Sequence, residues 1–438
     1  MTQLKKTLGL IDGISLLIGI TIGSAIFATP QIIATYQNSF SSIIALWVIV
    51  TLFVFIGSLI YAELGSRFPN TGGEYVYISK AFGPFWGFIF GWAQLLIIRT
   101  SPAAGISLIT ANYIGFFIEI DQFQKNCLAA LIIILFGAIN YIGVERASFY
   151  NKFSSSIKTF GIVIFAASGL IVHGADFSNL QPIIQPTQNL GPIGNFVAAS
   201  ILVLFSFLGW DRVGYVAGEM RDPKKIIPQT MFYGISLISL IYLGANLLYH
   251  TVLGLEGVRG SIIVASDTAS ILFGESGAIL ISLVVIVSAT GSINGTMMSA
   301  SRLYYAMALD GMLFRWFSNI HPNYKTPSNS IIAHCIWGIS LLVIRQNFET
   351  IVSGMVFTIL IFYILTTLAF FKFRMTNQGE EGYRLPFYPV LPSIYLIGLT
   401  LLVVLRLFFQ FNLSVQDLGF VLTGVPIYFL FFKQKVNC

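Results

Sequence analysis

The sequence predicts an all-α polytopic membrane protein of 12 transmembrane helices, with helices 1 and 6 broken near mid-membrane. Three observations carry this. The 438 residues are 56% hydrophobic and 10% charged, with mean hydropathy +0.82, whereas a soluble domain carries about 25% charged residues. Apolar runs long enough to cross a bilayer recur at roughly 11–36, 41–65, 83–116, 127–143, 153–173, 194–218, 229–254, 275–307, 328–345, 350–373, 389–409 and 415–432. Two of those runs, the first and the sixth, hold glycine and polar residues at their centres, where an anchor helix holds Leu or Val.

The first run contains Thr21, Gly23 and Ser24 at its middle, ahead of Pro30. An unwound turn at that depth leaves N–H and C=O groups that hydrocarbon cannot satisfy, so it persists only beside a buried cavity or ligand. The half-helix ends then offer N–H groups to an anion and carbonyls to a cation, a pair of charges that one α-amino acid zwitterion supplies. A small-residue packing face is the competing reading of the same residues. The sixth run decides between them. Ser206 and Gly209 flank its centre and Asp211 is an acid inside the membrane. Interrupted segments at matching places in two halves point to an inverted-repeat transporter. Residues 8–175 (helices 1–5) and 190–375 (helices 6–10) form the repeats, and 385–438 (helices 11 and 12) lie outside them.

Between these runs, the segment from Tyr61 through Glu63, Arg67, Gly72, Gly73, Glu74 and Tyr77 reads as a cytoplasmic loop with a short interfacial helix. In the third run Gln94 and Arg99 sit deep. An arginine at the bilayer centre costs about 2.5–3.5 kcal/mol unless paired or hydrated, so it faces protein interior or water, either bound to backbone carbonyls of a broken helix or in contact with substrate. Lys158 in the fifth run either snorkels to the interface or stands where a related carrier holds a metal cation, bracing the first helix. The small residues of the eighth run, among them Gly291, Ser292, Gly295 and Thr296, read as a face packed on the first helix that also lines a pocket. In the tenth run Ser353, Gly354 and Thr358 are the polar interruptions.

The net charge of +6 sorts by topology. Most Lys and Arg, from Lys5 and Lys6 to Lys433 and Lys435, fall on one side of the membrane, and only Lys125, Arg259, Arg345 and Arg406 on the other. The positive-inside rule places both termini in the cytoplasm, and no nucleic-acid partner is expected. No leader with a cleavage site is read before the first run, which is expected to act as its own insertion signal. Cys127, Cys335 and Cys438 give neither a disulfide framework nor a zinc site, and His173, His250, His321 and His334 fall near span ends. No His-Glu-x-x-His pattern occurs, so an intramembrane enzyme is disfavoured; no cofactor and no metal are expected. A substrate-sensing receptor or channel on the same fold is the alternative to a carrier.

The chain resembles the amino acid-polyamine-organocation superfamily and, within it, the L-type amino acid transporter branch. The resemblance rests on Gly23-Ser24-Ala25-Ile26-Phe27, Ala62-Glu63-Leu64-Gly65, Gly72-Gly73-Glu74-Tyr75, Gly209-Trp210-Asp211 with Pro223 and Pro228, Asn294-Gly295, Ser301-Arg302, Ala308-Leu309-Asp310-Gly311 and Arg384 to Phe387. It implies a leucine-transporter-type five-plus-five inverted repeat working by alternating access. It further implies that Gly23, Ser24, Ala25 and Ile26 meet the substrate carboxylate, and that Thr21, Ile22, Phe205, Ser206 and Leu208 offer carbonyls to the α-ammonium. Phe205 matches the family's aromatic gate, and Gln94, Arg99 and Thr296 are further pocket candidates. Lys158 matches the lysine standing at the second sodium site of sodium-driven relatives, which implies sodium independence. Ala25 and Leu208 replace glycines and narrow the pocket. The resulting expectation is a sodium-independent exchanger or proton-coupled importer of small to mid-sized neutral amino acids, with cationic amino acids or polyamines as the alternative cargo. The chain is expected in the prokaryotic cytoplasmic membrane, as a monomer or homodimer without an obligate heavy-chain partner.

Overall fold

A computed structural model describes residues 7–68, 73–168 and 176–432. Lys5, Lys6, Gly72, His173, Lys433, Lys435 and Cys438 lie outside the described residues. Among the described residues the chain is helical throughout, with no strand beyond an isolated bridge from Leu8 to Met220.

Helix α1 (Leu10–Thr21) stops at mid-run. The Ile22 N–H still reaches the Ile18 carbonyl at 2.8 Å, Gly23 is extended, a 3-10 turn covers Ser24–Phe27, and α2 (Thr29–Tyr36) restarts. Pro30 lies in that restart, where its missing N–H costs no helical bond. Helix α3 (Phe40–Arg67) returns across the molecule, and α4 (Gly73–Phe82) follows. The start of α1 and the end of α3 therefore share one face, called here the near face. The third run is α5 (Pro84–Ala93), a π-helical segment Gln94–Ile98, and α6 (Thr100–Ile114). Helices α7 (Gln122–Ile142) and α8 (Val144–Ser168) complete the first half.

Helix α9 (Gly191–Phe207) also stops at mid-run, at Leu208 and Gly209, and a 3-10 stretch Trp210–Glu219 continues it. Then come α10 (Pro223–Gly260), α11 (Val264–Leu309), α12 (Ser328–Arg345), α13 (Phe348–Met375), α14 (Val390–Phe409), α15 (Phe411–Leu422), the single turn α16 (Gly424–Ile427) and a π turn Tyr428–Phe432. Helices α10 and α11 outrun the expected 229–254 and 275–307. Each leaves helical geometry at one glycine, Gly254 (φ +66°) and Gly274 (φ +70°), whose left-handed backbone lets the extra turns bend away. Helix α13 runs unbroken through Ser353, Gly354 and Thr358, because the Thr358 hydroxyl bonds back to the Gly354 carbonyl at 2.9 Å.

Eleven helical stretches among the described residues are long and apolar enough to cross a membrane, against 12 expected. The difference is α8, whose polar start through Lys158 dilutes its hydrophobicity and whose expected end runs past the described residues. The small-residue face of α11 packs on the middle of the first span, as expected, and more extensively on α8. A Cβ at Gly291 would fall 1.6 Å from Ser154 Oγ and one at Gly295 3.0 Å from Asn151 Oδ1, while only Ser292 approaches Gly23.

Buried charges tie the helices. On the near face Glu63 accepts from Arg67 Nε at 2.9 Å, Arg374 Nη2 at 2.7 Å and the Leu385 N–H at 2.7 Å, joining α3, the end of α13 and the chain before α14. The start of α13 thus lies on the opposite, far face. Deeper, Asp417 of α15 accepts from Arg345 of α12 and from Arg406 of α14, the latter at 2.9 Å, and the Arg406 guanidinium lies 4.3 Å from the Phe357 ring centre. Sequence reading sorts Arg345 and Arg406 to the side of the membrane opposite most Lys and Arg; both are buried. Breaking such a group by removing its acid leaves uncompensated charge at a cost of about 3–5 kcal/mol. Asp417→Ala is therefore expected to lower the thermal unfolding midpoint of the purified protein markedly, whereas Asp176→Ala on an exposed turn leaves it unchanged.

Candidate functional site

The two helix breaks face each other. Gly209 has φ +117°, and a Cβ there would meet Ile20 Cγ2 at 2.7 Å. Only glycine satisfies both the left-handed backbone and the close approach. Around them lies a cavity of about 90 Å³. Thr21, Gly23, Ser24, Ala25, Phe205, Leu208, Gln94, Arg99 and Thr296 line it, as does Ser292. Ile22, Ile26 and Ser206, also expected at the site, do not line it with their side chains, which are buried.

The free backbone groups are partly claimed by protein. The Tyr242 hydroxyl lies 3.1 Å from the Thr21 carbonyl and 2.9 Å from the Ser206 carbonyl, so one O–H bridges both breaks. Thr29 and Ser206 hydroxyls meet at 3.0 Å, and Tyr113 donates to the Phe27 carbonyl at 3.2 Å. The N–H groups of Gly23, Ser24 and Ala25 have no backbone partner among the described residues, and the buried Thr21 and Ser24 hydroxyls have none either. Buried donors of this kind, gathered at a helix start, suit an anionic group.

Lys158 is buried and its ammonium donates to the Gly19 carbonyl in the last turn of α1; it does not snorkel to the interface. Among the described residues no group of three His, Cys, Asp or Glu is arranged to hold a metal ion. His250 bonds to the Asn246 carbonyl, His321 Nδ1 accepts from the N–H groups of Asn323 and Tyr324, and His334 meets the Tyr304 hydroxyl, so all three serve local structure.

Gln94 and Arg99 reach the cavity through the π segment. Its wider turn bonds the Arg99 N–H to the Gln94 carbonyl at 3.0 Å, and Arg99 Nε donates to Gln94 Oε1 at 2.9 Å. Arg99 is thus held by its own helix rather than by carbonyls of a broken one. The sequence signal was Pro102, whose ring excludes a normal bond to the Ile98 carbonyl. A second residue that sequence reading left in a loop is Glu74. It lines the cavity with Asp211 and Arg212, is buried, and accepts a hydrogen bond from the Tyr61 hydroxyl. Burial, and then the Asp211 charge, push its carboxyl well above the usual carboxylate range, against the opposing pull of Tyr61, Arg99 and Arg212.

Two contacts join helices toward the far face. The Phe205 ring meets Phe348 edge-on, centroids 5.7 Å apart at 75°, and the Tyr36 hydroxyl at the end of α2 donates to Glu349 at the start of α13.

The amino acid permease family pattern matches residues 8–432. The chain is 29% identical to the serine/threonine exchanger SteT of Bacillus subtilis, over 99% of this chain and 98% of that one. It is 28% identical to the human b(0,+)-type amino acid transporter 1, over 99% of this chain and 89% of that one. It is 27% identical to the large neutral amino acids transporter small subunit 2 of Mus musculus, over 99% and 83%.

Gly209→Ala tests the meeting of the two breaks. The left-handed backbone costs an L-residue about 1–2 kcal/mol before any clash with Ile20. The variant is expected to lose ligand-induced thermal stabilisation, while Gly419→Ala, where a Cβ meets open space, keeps it.

Proposed function

The chain belongs to the amino acid permease family, and on that footing we propose that it is a sodium-independent carrier of small to mid-sized neutral amino acids working by alternating access. The observation that carries the reading is the pair of facing helix breaks, with unpartnered N–H groups at Gly23, Ser24 and Ala25 beside a cavity. In this reading the substrate carboxylate takes those N–H groups and that of Ile26. The α-ammonium takes second lone pairs on the carbonyls of Thr21 and Ser206, together with the carbonyls of Ile22, Phe205 and Leu208. Ala25 and Leu208 at the cavity wall limit the side chain, in keeping with the relative named for serine and threonine.

Lys158 takes the cation's part: its ammonium on the Gly19 carbonyl supplies the positive charge that a sodium ion would otherwise bring to the end of α1. Residues 8–175 and 190–375 act as inverted five-helix repeats with α8 as the fifth span, and helices 11 and 12, in 385–438, stand outside. The excess of Lys and Arg makes the near face cytoplasmic, with both termini there, in a prokaryotic cytoplasmic membrane. The Phe205–Phe348 and Tyr36–Glu349 contacts then shut the outer path, with Phe205 as gate, so the cavity that reaches Glu74 and Asp211 belongs to an inward-facing state. The carrier acts without a heavy-chain partner, as monomer or homodimer.

The experiment is uptake of labelled serine, threonine, alanine and leucine into proteoliposomes, with and without sodium and with or without amino acid inside. Saturable uptake that sodium leaves unchanged is expected; uptake of lysine or putrescine alone would overturn the cargo, and channel-like conductance would overturn the carrier. Lys158→Ala is expected to reduce uptake by about tenfold, equivalent to about 1.4 kcal/mol, with substrate binding less affected; unchanged uptake would remove its assigned role.

A further inference from the structure

The near-face wall of the cavity brings together two carboxyl groups from separate elements. Glu74 comes from α4, and Asp211 from the 3-10 stretch after the second break. Glu74 is 4% exposed, with one oxygen engaged by the Tyr61 hydroxyl. Beside them Tyr363 of α13 is 3% exposed, its ring packs on both Tyr61 and Trp210, and its hydroxyl has no hydrogen-bond partner among the described residues. Both carboxyl groups are within electrostatic reach of that phenol. The charged and titratable groups facing Glu74 are Tyr61 of α3, Tyr77 on its own helix, Arg99 at the start of α6, Asp211 and Arg212, Tyr363, and Tyr395 of α14. Glu74 is the buried member of the pair, and a carboxyl held out of water beside a second carboxylate favours its neutral form.

Asp211 rides on a broken helix, whereas Glu74 is held through Tyr61 to α3, whose end is fixed by the Glu63 cluster. Their separation therefore changes if the broken helix moves. We propose that the Glu74–Asp211 pair is a proton-binding site of the transport cycle, loaded while both acids line the cavity and unloaded when the second broken helix carries Asp211 away from α4. Loading forms an O–H bond on the Glu74 carboxyl with a proton from cavity water; unloading returns that proton to water. By linkage, the state with the acids together is favoured as pH falls and the separated state as pH rises. The inference rests on the transport reading for its meaning in the cycle, while the site itself is measurable without any substrate.

The test is infrared titration of the purified full chain in lipid nanodiscs, following the protonated-carboxyl stretch, beside uptake at graded pH in proteoliposomes. The expected result is a band that disappears with a midpoint well above the ordinary carboxylate range, is absent in Glu74→Gln, and moves to lower pH in Asp211→Asn, since the neighbouring charge that raises it is gone. Asp211→Asn also controls for misfolding of Glu74→Gln, because it leaves the Glu74 carboxyl in place. Uptake should share the wild-type midpoint and lose its pH dependence in Glu74→Gln. A band that persists in Glu74→Gln, or a midpoint that Asp211→Asn does not move, overturns the site. A titrating band with pH-independent uptake overturns its coupling to transport. A titrating band in a protein that moves no amino acid overturns the transport reading and leaves the proton site standing.

Discussion

Hydrocarbon offers a peptide group no hydrogen-bond partner, and this constraint governs the molecule more than any single contact. Two helices give up their internal bonds at mid-run, so the structure around them supplies substitutes. Tyr242 places one hydroxyl against the Thr21 and Ser206 carbonyls, Tyr113 covers Phe27, and Lys158 covers Gly19. What these groups leave uncovered, chiefly the N–H groups from Gly23 to Ala25, opens on the cavity. The cavity is the remainder of an incomplete satisfaction, and its selectivity follows from which dipoles stay bare.

The remaining buried polarity divides by role. The Glu63–Arg67–Arg374 and Arg345–Asp417–Arg406 groups join helices that are whole, and their charges are matched across elements. The cavity charges at Arg99, Glu74 and Asp211 are less closely matched: Arg99 holds a glutamine, and Glu74 holds a tyrosine. Intramembrane charge is costly and is kept where something is bound or moved.

Both breaks were legible in the sequence because glycine and hydroxyl residues inside an apolar run are a local signal; Thr21, Gly23, Ser24, Gly209 and Asp211 stand out without any knowledge of neighbours. Lys158 was legible for the same reason, being a charge too deep to reach water easily. Glu74 was not, because its importance comes from α4 folding back against the cavity, a tertiary event that a Gly-rich loop does not announce. The π segment at Gln94 was foreshadowed only by Pro102. Arg345 and Arg406 counted only as charges on the minority side because their partner, Asp417, is distant in sequence from Arg345 and on the following helix from Arg406. Helix α8 shows the converse: its polar start suits packing against the glycines of α11, and that same fit lowers its hydropathy.

The short bridge between the chain's beginning and the segment after the second break has a mechanical meaning. The N–H groups of Thr7 and Leu8 reach the Glu219 carbonyl at 2.9 and 3.1 Å, and the Arg221 N–H returns to Leu8 at 3.1 Å. The inner halves of the two interrupted helices are thereby hinged into a single leaf, stitched at its outer hem. A displacement of either half is carried to the other through these bonds, by a route that does not pass through the cavity.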